Sequence, residues 1–394
     1  MLKRGAVKIG VGSLVIGYKK SLSNYIKEHV FMRLAKQLFQ KQYLVDANVE
    51  QYNTGELLAR GPFFYFVNPG VPIYLPIGAK ILKAIEACCF DLMEQLEFNC
   101  FEMPQLIPND SLVLGEEFHV GFLNQFVFLK DRMQQFHLLS TPEPFFIHLL
   151  KQGLQTYRQI PLQFFFGAKF YRQLRGLDGI LKTREFKMLA GMSLVEPGDR
   201  IGINAFIQFM KKIDQCFGLK LQSYFDSEKK YHEYFYPHIE GSEQYQGKPA
   251  ISLAMFYQYA RQKKLNTSYR TSFNHNQKAD LITFGLGLQR LFFVIMDACR
   301  DNLGFKLPKI IRPFDIAIIP TSRASLSRAE QLFEQLSRSN KKVVFDDRHD
   351  VSMQSKCKLA DFLGVNTKMI VKPDGCVGES RTELKSENTI VLTT

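Results

Sequence analysis

Phe164–Ser193 reads FFFGAKFYRQLRGLDGILKTREFKMLAGMS, two apolar, aromatic runs around a glycine-containing centre. Phe164–Arg172 has the residues of a buried strand and Ile180–Leu189 those of a second. Gln173–Gly179 between them holds two glycines and an aspartate, so the stretch predicts a long-looped antiparallel hairpin. Arg172 closes the first run. Arg184 lies in the second, with Phe186 two residues on and so on the same strand face, and both arginines are expected to face one cleft. A guanidinium fork suits a phosphate, and a phenylalanine face suits a nucleobase. A solvated basic strand pair with a core phenylalanine fits the same residues, and the hairpin alone does not separate the two readings.

Other segments stand in a telling order around it. In Val71–Pro104, Gly78 precedes a helical period of Ile81, Leu82, Ile85, Leu92 and Leu96, and a strand is expected to end at Pro104. Leu138–Leu150, LLSTPEPFFIHLL, carries Thr141 and Glu143 one residue apart. That Thr-Pro-Glu is also an ordinary helix start, with Thr141 as cap and Phe145–Leu150 continuing the helix. Leu281–Ile295, LITFGLGLQRLFFVI, is a strand entering a helix through Gly285 and Gly287, with Arg290 on an apolar face. Arg290 serves a site, pairs with Asp297 along the helix, or snorkels to water.

Together these segments resemble the class II aminoacyl-tRNA synthetases, most closely the bacterial or organellar prolyl type, with the threonyl type next. The resemblance implies an α+β fold, an antiparallel sheet flanked by helices, and substrates that include ATP, with Mg²⁺, if the protein is active. It assigns Gly78–Pro104 to an isologous homodimer interface, Thr141 and Glu143 to the ammonium of an amino acid, and Arg172 to the α-phosphate. Phe186 would lie against adenine, with Gly285, Gly287 and Arg290 at the other face of the base. Ile311–Thr394 resembles the anticodon-binding domain of the same family. There IRPFDIAIIP, KKVVFDDR and NTKMIVKP read as strands, and Arg323–Ser337 and Lys356–Leu363 as helices, which implies a small α/β domain. Asp346, Asp347, Arg348, Lys356, Asp361 and Gly364 match the prolyl pattern. Lys341, Lys342, Arg348 and Lys356 are the expected nucleic-acid contacts. The expected domains are a basic N-terminal extension over 1–59, a synthetase-like domain over 60–309 and the anticodon-binding-like domain over 310–394. Leu194–Leu281, between the second and third motifs, leaves no room for the editing insertion of many bacterial prolyl enzymes.

The departures from the family pattern are acidic. Leu174, Ala190 and Ser252 stand where the resemblance calls for carboxylates, and Ala254 and Met255 replace a Gly-His pair of the prolyl pocket. Forming an aminoacyl adenylate requires developing charge at the α-phosphate to be neutralised. Mg²⁺ is held by one or two carboxylates together with phosphates and water. Losing one electrostatic contributor in a desolvated site costs on the order of 3 kcal/mol. The sequence therefore reads as a synthetase scaffold with lost or altered adenylation that binds tRNA, other nucleic acid or a partner protein. The alternative is a divergent ligase acting on tRNA or another acceptor, in which Gln173, Asp178, Glu185 or Glu196 supply the acids through a shifted register.

Composition fits a polyanionic partner. The chain carries a formal charge of +13, and Lys and Arg that meet phosphates gain by counterion release. Seven scattered cysteines form no CxxC or Cys/His cluster, which suits a reducing compartment and argues against structural zinc. No apolar run is long enough for a membrane span. Residues 1–45 hold nine Lys or Arg against one acid, Glu28. The location expected is cytoplasmic, with an organellar matrix as the alternative if this segment is a transit peptide. Tyr25–Leu44 reads as an amphipathic helix.

Overall fold

The computed structural model describes residues 31–34, 49–109, 125–129, 135–143, 156–228, 230–259, 268–339 and 341–381. The chain divides into two units, Phe39–Pro308 and the combination of Met1–Leu38 with Lys309–Thr394.

The first unit is built on an eight-stranded sheet. Its strands are β1 (Asn99–Cys100), β2 (Leu162–Tyr171), β3 (Glu185–Val195), β4 (Gln222–Asp226), β5 (Tyr231–Pro237), β6 (Glu243–Tyr245), β7 (Lys248–Tyr259) and β8 (Asp280–Gly287). They run in the order β1-β2-β3-β8-β7-β5-β4, with β6 paired to β7. Only the β1–β2 pairing among these is parallel. The expected hairpin is β2–β3, with Phe170 opposite Phe186. Phe166, Phe170 and Phe186 stack in succession along it, at centroid spacings of 6.2 and 5.8 Å. The second strand begins at Glu185, five residues later than the apolar run suggests. Ile180 and Leu181 are apolar because the loop folds inward, where both are buried.

Helices α1 (Thr54–Arg60), α2 (Pro76–Gln95), α3 (Ile201–Phe217) and α4 (Leu288–Ala298) flank the sheet. On α3, Phe206 stacks on Phe284 of β8 at 4.6 Å. Helix α2 starts with Pro76, whose fixed φ suits a first turn, and buries Ile81, Leu82, Ile85 and Leu92 at helical spacing. Gly78 allows that first turn to lie against the chain at Phe63, since a Cβ there would sit 2.0 Å from the Phe63 carbonyl oxygen. The strand after α2 is only Asn99–Cys100, and Pro104 lies beyond it in irregular chain.

In the second unit, β9 (Ile316–Pro320), α5 (Leu326–Arg338), β10 (Val343–Phe345), α6 (Met353–Phe362), β11 (Thr367–Val371) and β12 (Cys376–Ser380) follow one another. The sheet order is Phe31–Arg33, β10, β9, β11, β12, parallel except for the last pair. Its core is Ile318, Phe333, Val343, Phe345 and Val371. Phe31–Arg33 is thus an edge strand rather than part of the helix expected over Tyr25–Leu44, of which only residues 31–34 are described. The reason is a period of two. Met32 and Leu34 are buried, while the Arg33 guanidinium sits 5.4 Å from the rings of Phe333 and Phe345 and pairs with Glu330 at 2.9 Å.

Candidate nucleotide site

The hairpin and the β8–α4 turn bring Arg172, Phe186 and Arg290 to one cavity of about 190 Å³. Arg172 follows β2, where its amide donates to the Arg184 carbonyl at 2.9 Å and its Nε to the Ser140 carbonyl at 3.0 Å. Its guanidinium lies 5.2 Å from the centre of the Phe186 ring. Burial lowers its pKa to about 10, with nearby Glu143 opposing and Arg290 adding to the shift, so it stays a cation at neutral pH. Gly285 and Gly287 line the cavity too. A Cβ on Gly285 would come within 3.2 Å of the Met188 sulfur, so glycine keeps this stretch of the sheet face open.

Arg290 leaves the first turn of α4 and is held at all three nitrogens. Nε donates to the Leu181 carbonyl at 2.9 Å, Nη1 to the Ser252 carbonyl at 2.6 Å, and Nη2 pairs with Glu243 at 3.1 Å. The alternative Arg290–Asp297 pair does not form. Asp297 instead accepts from Thr54 Oγ1 at 2.5 Å and Tyr236 OH at 2.6 Å, and pairs with His238 Nε2 at 3.1 Å.

Thr141 Oγ1 donates to the Glu143 carboxylate. Burial raises the Glu143 pKa, while the Thr141 bond and the Arg172 charge pull it down. The helix expected to continue over Phe145–Leu150 lies outside the described residues. Arg184 does not join Arg172. It is exposed, its amide donates to Gly70 O at 2.8 Å, and its side-chain stem runs against Gly70, which has φ +76°.

Leu174, Ala254 and Met255 line the cavity. Ala190 is fully buried in an apolar cluster with Leu139, Phe166, Phe170 and Met192. Gln173, Asp178 and Glu196 are exposed and Glu185 pairs with Lys169 at 2.6 Å, and none of the four lines the cavity. The acids that do come close are Glu233 and Glu243, which the sequence reading missed. Ser252 Oγ donates to Glu233 at 2.5 Å, and its amide to Glu243 at 3.5 Å. Burial raises the Glu233 pKa, the Ser252 bond lowers it and the Glu243 charge raises it again. Only strand pairing reveals these two, because Glu233 lies opposite Met255 across β5–β7 and Glu243 opposite Ala250 across β6–β7. Among the described residues no three His, Cys, Asp or Glu side chains gather as a metal site.

In the second unit Lys341 is exposed, while the other expected nucleic-acid contacts turn inward. Lys342 Nζ donates to the carbonyls of Lys309 at 3.2 Å and Arg312 at 2.9 Å. Arg348 is 7% exposed and makes a two-pronged pair with Asp346 at 2.7 and 2.6 Å. Lys356 is 5% exposed and donates to the Asp346 carbonyl at 3.0 Å.

The antiparallel sheet, with its hairpin and its glycine-led helix meeting at one cavity, has the form of a class II synthetase-type fold. No protein-family model matches the chain. In sequence it is similar to the proline–tRNA ligase of Lactobacillus helveticus, 32% identical over 148 residues, which is 37% of this chain and 26% of that protein. To the proline–tRNA ligase of Pseudothermotoga lettingae it is 30% identical over 168 residues, 42% of this chain and 29% of that protein. The aligned part thus spans less than a third of the relatives' length. In structure it is similar to Giardia lamblia prolyl-tRNA synthetase, solved with prolyl-adenylate, at a TM-score of 0.71 and 16% identity over 86% of this chain and 73% of that one. The Cryptosporidium parvum prolyl-tRNA synthetase, solved with halofuginone and AMPPNP, gives 0.69 and 15% over 84% and 71%. The chain is thus similar to prolyl-tRNA synthetases, in sequence over the aligned part and in fold over most of its length. Among the described residues no helix is long and apolar enough to cross a membrane.

Proposed function

We propose that this protein is a synthetase scaffold that holds a purine nucleotide and a nucleic acid, tRNA foremost, with adenylate formation lost or altered. The observation that carries the reading is the cavity itself, where Arg172, Phe186 and Arg290 converge and Leu174 and Ser252 take the places of acids. ATP fits the residues present: the aromatic face of Phe186 and the plane of Arg290 suit a base, and Arg172 suits a phosphate. Mg²⁺ does not fit at the three altered positions, since leucine and alanine offer it no oxygen and the Ser252 hydroxyl is engaged by Glu233. No step is therefore routed through a metal. The homodimer belongs to the same proposal, and the exposed Val67, Ile73, Phe101 and Leu106, in the segments that precede and follow α2 in the chain, supply apolar surface for it. Direct contact with nucleic acid falls to Lys341, with Lys342, Arg348 and Lys356 shaping the chain around it. A partner protein is the other occupant considered for the scaffold, and the cytoplasm or an organelle matrix its place.

One observation favours a second reading, a divergent ligase for proline or another small acid. Thr141 and Glu143 are linked beside Arg172, an arrangement suited to an ammonium group. Amino-acid-dependent ATP–pyrophosphate exchange separates the two. The scaffold reading expects no exchange from folded protein with proline or any other amino acid. Exchange that needs one amino acid and disappears in Arg172→Ala would overturn it.

A further inference from the structure

The Arg290 guanidinium is engaged at all three of its nitrogens, and its partners are unequal. Two are carbonyls, Leu181 O and Ser252 O, and the third, Glu243, is a carboxylate. Glu243 reaches it from β6, a strand of three residues that pairs with the start of β7. Gly241 permits that pairing, because a Cβ there would lie 2.1 Å from the Ala250 carbonyl oxygen. The second Glu243 oxygen accepts from the Ser252 amide at 3.5 Å, so one carboxylate bridges the arginine and the strand beside it. Arg290 in turn repels Arg172, whose own opposing charge is Glu143, so a carboxylate on Arg290 lessens the positive charge of the same cavity.

We infer that Glu243 is a positioning residue. It fixes the Arg290 guanidinium plane as one face of a slot for a purine base and offsets the charge that the two arginines otherwise share. The acid that family resemblance calls for at Ser252 is thereby replaced in electrostatic effect from a neighbouring strand, where it orients the arginine. This inference rests on the nucleotide reading. A carboxylate paired with a guanidinium is a charge-assisted bond whose removal weakens a dependent ligand by about tenfold. A slot built on a guanidinium plane favours purines over pyrimidines, because the larger ring overlaps more of the plane.

The test is equilibrium binding of non-hydrolysable ATP and CTP analogues to the full chain by calorimetry. The proteins are the unaltered chain, Glu243→Gln, Glu243→Asp, Arg290→Ala, and Glu334→Gln on the exposed face of α5. Glu243→Gln is expected to lose about tenfold for the ATP analogue and little for the CTP analogue, collapsing the preference. Glu243→Asp is expected to restore part of it, and Glu334→Gln to bind as the unaltered chain does. Equal losses for both analogues in Glu243→Gln would show a merely structural role and overturn the inference. So would unchanged ATP-analogue binding in Glu243→Gln alongside its loss in Arg290→Ala. No binding by the unaltered chain would overturn the nucleotide reading itself, and the inference with it.

Discussion

Ala190→Asp puts a carboxyl back where the resemblance to synthetases expects one, and the structure says that it does not restore a site. Ala190 has no exposed surface and sits with Leu139, Phe166, Phe170 and Met192, on the same face of β3 as Phe186 and Met188 but deeper. A carboxyl there is forced to be neutral. Starting from an ordinary aspartate pKa near 3.9, keeping the proton at pH 7 costs about 4 kcal/mol. Leaving the acid without a hydrogen-bond partner adds roughly 1–3 kcal/mol. The total approaches the whole stability of a typical domain, on the order of 5–15 kcal/mol. Because the folded-state pKa is raised, the folded form binds the extra proton, so the penalty grows as pH rises from the unfolded pKa towards the folded one. Urea unfolding of the variant against the unaltered protein at pH 5 and pH 7 is therefore expected to show a loss larger by about 2.7 kcal/mol at the higher pH. Ala190→Asn, of the same shape without the titration, is expected to lose equally at both. A variant as stable as the parent at pH 7, or a loss independent of pH, would refute the reasoning, because it would mean that the carboxyl finds water or a cation.

Two further outcomes follow from packing and charge. Gly78→Ala drives a Cβ against the Phe63 carbonyl, where it would lie at 2.0 Å, and is expected to cost about 2 kcal/mol by urea midpoint even after alanine's helix preference is allowed for. Gly375→Ala, whose Cβ meets nothing within 4 Å, serves as its neutral control. His238 is raised above the usual imidazole range by its bond to Asp297, with burial opposing. Asp297 is raised by burial but brought below its ordinary value by bonds from His238, Thr54 and Tyr236. The histidine contribution is complete below about pH 6.5 and is lost as pH rises through the raised value, whereas the aspartate contribution is lost only as pH falls through its lowered one. Unfolding midpoints between pH 6 and pH 9 should thus fall more in the parent than in His238→Ala, and parallel curves would count against the pair.

The parts of the fold legible in the sequence are those set by local pattern. The aromatic runs of Phe164–Arg172 announce β2 because strand propensity and burial coincide there, and the β9–β12 unit shows the expected alternation of strands and helices. The start of β3 is not legible from apolarity, since Ile180 and Leu181 are buried by a loop that delivers a carbonyl to Arg290. Nor is the Phe31–Arg33 strand, three residues whose partners lie some three hundred positions away at Val343–Phe345. Arg348 and Lys356 illustrate a different limit. A basic residue in sequence carries no sign of whether its charge meets solvent or is spent inside, and here both are spent on Asp346. Glu233 and Glu243 escape for the same reason as the edge strand, because only the pairing of β5 and β6 with β7 carries them to Ser252.

What separates the retained from the altered part of the cavity is the sign of charge. Arg172 and Arg290 remain and repel one another in a poorly solvated space, which helps hold the Arg172 pKa near 10. Glu243 pairs with Arg290, and the Glu143 charge, bonded to Thr141, opposes the desolvation of Arg172, so both carboxylates serve the cations rather than a metal. A polyphosphate entering such a cavity meets cations already in place and gains from them as a ground-state ligand. Interactions that are equally strong in the ground state and the transition state lower a dissociation constant without lowering a barrier. Under the proposed reading that is the physical content of the loss at Leu174, Ala190 and Ser252: the groups that bind a nucleotide are kept, and the groups that would distinguish its reacting form from its resting form are not.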